Sequence, residues 1–276
     1  MKWLHFILSH SLFVACCAIA LVFQTNELLH LEPNYRIYGF TFFATLCSYN
    51  FYWLLSKYAF NIAGSWPRFI QKEKTGIVIF FLSGIALLFF LKGLPVNNSI
   101  IITAMLLTVL YALPLLPFPI LAFTRKAGVL KTLLLAFTWT YVTAFIPMQQ
   151  SVAELSHEEI LLNIRRFLFM LILCIIFDNR DSAVDKIRGM RSLSTDLSAT
   201  TVNYLVYGIF ALLFTLNFIF LQFGISIAQS LALQISCIAL LVTYLYSKKK
   251  QGYLFYYFFV DGLMLFSALA TYIAGI

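Results

Sequence analysis

Long apolar runs alternate with short polar stretches along the whole chain. The runs cover approximately 3–23, 36–56, 76–94, 99–121, 130–148, 160–177, 200–224, 226–246 and 253–275. Each is close to the length of about 20 residues that a helix needs to cross a bilayer core. Strands do not fit, because continuous apolar runs of this length satisfy their backbone in lipid as helices. The pattern predicts an all-α, polytopic membrane helical bundle of about nine transmembrane helices. Residues 1–276 form a single transmembrane helical domain in this reading. Polar loops are expected at about 57–75, 122–131, 178–199 and 247–252. The first run has Lys2 ahead of it and a small-residue patch at Ala15–Ala20, as a signal peptide would. The eight runs that follow favour a retained first helix.

Composition closes the soluble alternative. Hydrophobic residues make up 62% of the chain and charged residues 11%. A soluble domain carries about 25% charged residues. Cys16, Cys17, Cys47, Cys174 and Cys237 all fall inside apolar runs, without CxxC or Cys/His ligand spacing. Neither a disulfide framework nor a zinc site is indicated. The net charge of +8 follows from basic membrane loops, so no nucleic-acid partner is expected.

Lys and Arg set the orientation. Fifteen of the nineteen fall on one side of the alternating loops, and Arg36, Lys92, Arg165 and Arg166 fall on the other. The amino terminus is expected in the cytoplasm and the carboxyl terminus outside. Four of the eleven acids, Asp178, Asp181, Asp185 and Asp196, crowd into the cytoplasmic segment after the sixth run. If that helix continues, Asp178, Asp181 and Asp185 stand at i, i+3 and i+7 and share one face. They also sit at the carboxyl-terminal end of the helix, where its dipole disfavours negative charge. One reading is a solvated loop whose acids pair with Arg180, Lys186, Arg188 and Arg191. The other is a Mg²⁺ site completed by substrate phosphate oxygens.

The order Asp178, Asp181, Asp185, Lys186, Gly189, Ser192 resembles the second Asp-rich motif of the UbiA-type superfamily of membrane prenyltransferases. Tyr111, Pro114, Arg125, Lys126 and Lys131 resemble that family's aromatic-led helix end and basic loop. The resemblance implies nine helices and Mg²⁺ held by Asp178, Asp181 and Asp185. It also implies a diphosphate gripped near Asn50, Lys57, Lys186, Arg188 and Arg191. The family's first motif has the form N-D-x-x-D-x-x-x-D. Here Asn50 matches, but Phe51, Leu54 and Tyr58 stand where the aspartates would be. Lys57 is the nearest basic residue to that degenerate motif.

The implied activity is Mg²⁺-dependent transfer of a prenyl group from a prenyl diphosphate to an aromatic or lipid acceptor. The implied location is the bacterial cytoplasmic (inner) membrane, among membrane lipids. Two other classes stay open: a non-catalytic isoprenoid-lipid-binding relative that has lost the first motif, and a small transporter. Asp261 stands some 12 Å into the last run, about eight residues from its start. An acid inside a membrane is either functional, or protonated or bonded to a neighbouring Tyr, and no chemistry is assigned to it here. Asp261 and Tyr111 are the remaining candidate residues. Reporter fusions after Lys74, Arg191 and Ile276 test the orientation. The first two are expected in the cytoplasm and the third outside; a cytoplasmic signal from the third overturns the odd span count.

Overall fold

The computed structural model describes residues 2–59, 66–115, 128–149, 154–187 and 189–276. Every regular element among them is helical. In chain order they are α1 (Lys2–Ser9), α2 (Leu12–Leu28), α3 (Tyr35–Ala59), α4 (Trp66–Lys72), α5 (Lys74–Leu91) and α6 (Asn98–Ala112). There follow α7 (Gly128–Thr140), α8 (Ile146–Met148), α9 (His157–Ile187), α10 (Leu193–Asp196), α11 (Ala199–Ile219), α12 (Ile227–Ser247) and α13 (Asp261–Ile273). A π-helical turn, Tyr141–Phe145, joins α7 to α8, and another, Phe255–Val260, leads into α13.

Among the described residues, seven helices are long and apolar enough to cross a membrane, or eight if the bent pair α1–α2 is one span. The count of nine is not reached by this measure. The expected second span is α3, which has 25 residues but is not among the seven. Thr41, Thr45, Ser48, Asn50 and Ser56 lower its hydropathy. The chain is an integral membrane protein built as a helical bundle.

The helix α9 is the centre of that bundle. In its most apolar stretch 72% of residues are buried, against 6% for α5, which lies at the periphery. Leu162, Ile172, Ile175 and Ile176 are completely buried. It packs against α7, α11 and α12.

Arg165 and Arg166, counted as charges of the outer side, lie within the sixth run. Both are inside α9 and buried. A buried guanidinium in lipid must find acceptors on neighbouring helices. Arg166 donates to the Leu21 carbonyl at 3.2 Å, to Gln24 Oε1 at 3.0 Å and to Thr25 Oγ1 at 3.3 Å. Gln24 in turn donates to Ser267 Oγ at 2.9 Å, tying α2 to α13. Arg165 Nε donates to Asn217 Oδ1 at 2.5 Å, and Asn217 Nδ2 donates to Gln234 Oε1 at 3.2 Å. The two arginines therefore join α9 to four other helices through neutral partners.

Broken helices are repaired in the same way. Pro147 has no N–H for the carbonyl four residues back, that of Thr143. Thr25 Oγ1 donates to that carbonyl at 2.8 Å. Between α1 and α2 the chain bends by 67° at Ser11, whose φ is 63°. Asn50 Nδ2 donates to the His10 carbonyl at this break, at 3.1 Å.

Replacing Gln24 by Leu should destabilise the protein by about 1–3 kcal/mol, the cost of leaving buried polar groups without a partner. Thermal unfolding in detergent measures it. The lipid-facing substitution Phe81→Leu is the control, since Phe81 is 63% exposed. Equal midpoints for the two variants would refute the role given to the arginine network.

Candidate active site

The second Asp-rich stretch is helical as far as Ile187, so Asp178, Asp181 and Asp185 keep their i, i+3, i+7 spacing on α9. Gly189, at φ 65°, then turns the chain. That conformation favours glycine, which has no Cβ to clash. The Met190 N–H donates back to the Asp185 carbonyl at 2.9 Å. Beyond the turn, α10 folds against the start of α7. Gly128 permits this approach, because a Cβ there would collide with the Asp196 carboxylate. The Leu193 N–H donates to Thr132 Oγ1 at 3.4 Å, and Ser194 Oγ donates to Asn179 Oδ1 at 2.6 Å. The acidic segment is thus a pinned hairpin rather than an open loop.

The three carboxylates have different surroundings. Asp178 accepts a hydrogen bond from Thr132 Oγ1. Asp181 is half-exposed and receives both prongs of Arg180, each at 2.7 Å. Asp185 is buried. Two cations answer them. Lys131, on the first turn of α7, lies within electrostatic reach of all three carboxylates and of Tyr52. Arg180 lies over three rings, with its guanidinium carbon 4.8 Å from the centre of Phe177, 5.1 Å from Tyr256 and 5.0 Å from Tyr257. Its Nη1 is buried and has no hydrogen-bond partner.

Aromatic side chains wall this end of the bundle. Tyr111 stacks on Tyr52 at 5.2 Å and lies under Lys131 Nζ at 5.9 Å. Trp53 meets Tyr257 at 6.4 Å, and Tyr49 meets Trp139 at 6.0 Å. The face of α3 turned to the carboxylates therefore carries Tyr49, Tyr52 and Trp53. The positions matched to the first family motif point elsewhere. Phe51 stacks on Phe80, Leu54 lies beside Gly76, and Tyr58 packs on Phe69. These contacts belong to the packing of α3 on α4 and α5.

Asn50 and Lys57 are also engaged. The Asn50 amide donates to two backbone carbonyls, His10 at 3.1 Å and Leu46 at 2.8 Å. Lys57 forms an ion pair with Glu73 at 2.6 Å and is about half exposed. Lys186 and Arg191 line an open cleft of about 500 Å³ with Thr195 and Asp196. Arg191 faces Asp196 there at 3.7 Å. Pro114 is buried in the tight turn that ends α6. Arg125, Lys126 and Arg188 lie outside the described residues. Asp261 is 9% exposed and lies within electrostatic reach of Arg180.

Site residues missed at the sequence level are Thr132, Tyr49, Tyr52, Tyr256 and Tyr257. Arg180 was paired with the acids only as part of a solvated loop. Its position inside Asp178–Asp181 was the available signal for a closer role; the tyrosines carried none in so aromatic a chain.

Oxygen donors of this kind suit a hard divalent cation. Among the described residues, however, no group of three or more His, Cys, Asp or Glu side chains is arranged to hold a metal ion. Mg²⁺ needs no such cage when one or two carboxylates are joined by phosphate oxygens. The carboxylates fit that shared arrangement and not a self-contained protein site.

No protein-family model matches the chain, and no curated protein matches it either. The chain is similar in structure to a solved digeranylgeranylglyceryl phosphate synthase of membranes, with a TM-score of 0.56 and 14% sequence identity. The match covers 100% of this chain and 99% of that one. The chain therefore has the helical fold of a UbiA-type membrane prenyltransferase.

Proposed function

We propose that the chain is an intramembrane prenyltransferase, which moves a prenyl group from a prenyl diphosphate to a lipophilic acceptor. The observation that carries this reading is the meeting of Asp178, Asp181 and Asp185 with Lys131 and Arg180 beside the aromatic rings of Tyr52, Tyr111, Tyr256 and Tyr257. Acids and bases together at a helix end suit a metal–diphosphate pair better than either charge alone. The tyrosines and Trp53 suit an apolar chain and a developing allylic cation. The structural neighbour is itself a synthase of a prenylated lipid, which supports the same class of chemistry.

Lys131 holds a phosphate oxygen in this reading, and Arg180 offers its unpartnered Nη1 to another. Asp178 and Asp181 would hold Mg²⁺ together with the diphosphate, with Asp185 behind them. Bound there, the ion supplies charge neutralisation to the departing diphosphate. The aromatic wall excludes water from the allylic carbon until the acceptor attacks. This end of the bundle faces the cytoplasm of the cell, following the bias of Lys and Arg.

A second reading has one observation in its favour. The face of α3 turned to Asp178, Asp181 and Asp185 carries no carboxylate, only Tyr49, Tyr52 and Trp53. A relative that binds isoprenoid lipids without turnover would tolerate that.

Purified protein and radiolabelled prenyl diphosphates separate the two. Mg²⁺-dependent release of diphosphate in the presence of acceptor is expected, and binding without release under every acceptor tried would favour the second reading. Asp178→Ala and Asp181→Ala should each weaken Mg²⁺-dependent diphosphate binding strongly. Lys131→Met should cost about 1–3 kcal/mol of diphosphate affinity, the scale of a lost hydrogen bond to a charged group. Lys57→Met, already tied to Glu73, should cost less than Lys131→Met. The reverse order would move the diphosphate toward α3.

A further inference from the structure

The bundle covers little of the helix α1. From Trp3 to Ser9 only Leu8 is buried, and Trp3 is 82% exposed. At about 100° per residue, Trp3, Leu4, Phe6 and Ile7 fall within an arc of about 160°. His5 and Ser9 fall within about 40° of one another on the opposite side. A helix of eight residues does not hold together alone in water, and so wide an apolar arc is costly to leave wet. Something beyond the bundle covers that arc.

The placement of α1 identifies the cover. The next helix, α2, has 17 residues, about 25 Å of length, which comes close to crossing a bilayer core by itself. The bend of 67° means that α1 adds only about 5 Å along the same axis. The His5 ring meets the ring of Tyr253 at 5.3 Å. Tyr253 follows the polar stretch 248–251 that links α12 to the last span. So α1 is level with the boundary of the bilayer and not with its core. Tyr253 also packs on Tyr257 at 4.4 Å, one of the rings beneath Arg180, so the boundary is the one at the carboxylate end of α9. The bend itself is held. Ser11 adopts the left-handed conformation, which is unfavourable for a residue with a Cβ. Its N–H donates to the Leu8 carbonyl at 3.3 Å, and Asn50 Nδ2 donates to the His10 carbonyl at 3.1 Å. Backbone groups opened by a break at a membrane need such partners.

We infer that α1 is an in-plane helix docked on the lipid surface at the carboxylate end of the bundle, and that α2 alone makes the first crossing. Trp3, Leu4, Phe6 and Ile7 enter the zone between headgroups and acyl chains, while His5 and Ser9 face water. Helices that lie in this zone carry Trp, Phe and Leu on one face and polar groups on the other. The partner is the bilayer itself, because a helix turned so far from a crossing helix at this level has lipid beside it. Asn50 gains a role in the same step, since its amide secures the backbone where α1 leaves the line of α2. The inference does not depend on the transferase reading.

The test is the rate at which a sulfonated maleimide labels single cysteines introduced along α1. The full chain is held at one protein per nanodisc of phosphatidylcholine and phosphatidylglycerol. Cys16→Ala and Cys47→Ala clear the background, since Cys17 and Cys237 are buried and Cys174 is too. His5→Cys and Ser9→Cys should label about tenfold faster than Trp3→Cys and Ile7→Cys, because a thiol among acyl chains does not ionise readily. In SDS the four should label alike. Leu4→Cys or Phe6→Cys takes the place of an apolar-face variant whose thermal midpoint falls below that of the parent. Four fast rates in nanodiscs would mean that the arc faces water or a protein absent from the disc. Four slow rates would mean that α1 lies within the crossing. Either result overturns the inference.

Discussion

Everything in this bundle is arranged around two guanidinium groups that water cannot reach. Arg165 and Arg166 stand side by side on α9, and their acceptors are one backbone carbonyl, two side-chain amides and a hydroxyl. A neutral acceptor offsets less of the desolvation of a charge than a carboxylate does, so several must converge. That requirement holds α2 and α13 on one flank of α9 through Gln24 and Ser267. It holds α11 and α12 on another through Asn217 and Gln234. Asp178 lies twelve residues along the same helix from Arg166, about 18 Å at the usual rise. One rigid element thus carries both the lock of the bundle and the carboxylates of the candidate site.

At the carboxylate end of α9 the electrostatics reverse. Three carboxylates meet the negative end of the α9 dipole, an arrangement that disfavours them all. Lys131 and Arg180 relieve it only in part, and they do so differently. Arg180 is committed to Asp181 and spread over aromatic faces, while Lys131 is shared among several acids. The pinned hairpin from Gly189 to Asp196 keeps this strained set from relaxing into solvent. Thr132 takes part twice, as donor to Asp178 and as acceptor from Leu193. Charges of both signs are thus held at fixed positions at this end of α9.

The elements of the fold were legible because lipid leaves a long apolar run no conformation other than the helix. The expected runs and the observed helices agree to within a few residues for α5, α11 and α12. The spacing of Asp178, Asp181 and Asp185 carried through because α9 continues past the last apolar residue. Facing was harder. On α3, Phe51, Tyr52, Trp53 and Leu54 are all large and apolar or aromatic, so no periodicity separates the face turned to the carboxylates from the face against α5. Arg165 and Arg166 fall inside the sixth run and were counted only as charges at its outer end; nothing local showed that they would be buried in the bundle. Their neutral partners are spread over the whole chain and leave no local mark. The π-turns are equally silent, since one inserted residue does not disturb an apolar run.

The partners of the two arginines have an order along the chain, and that order bears on how the protein enters the membrane. Leu21, Gln24 and Thr25 are synthesised long before Arg166, whereas Asn217 is synthesised after Arg165. When α9 leaves the ribosome, the seat for Arg166 is already present on α2, but that for Arg165 is not. The charge of Arg165 must wait at the edge of the bilayer until α11 follows. The last third of the chain is therefore what allows α9 to settle to its full depth. A ribosome stalled before Asn217 would leave the central helix with its first turns still outside the bilayer core.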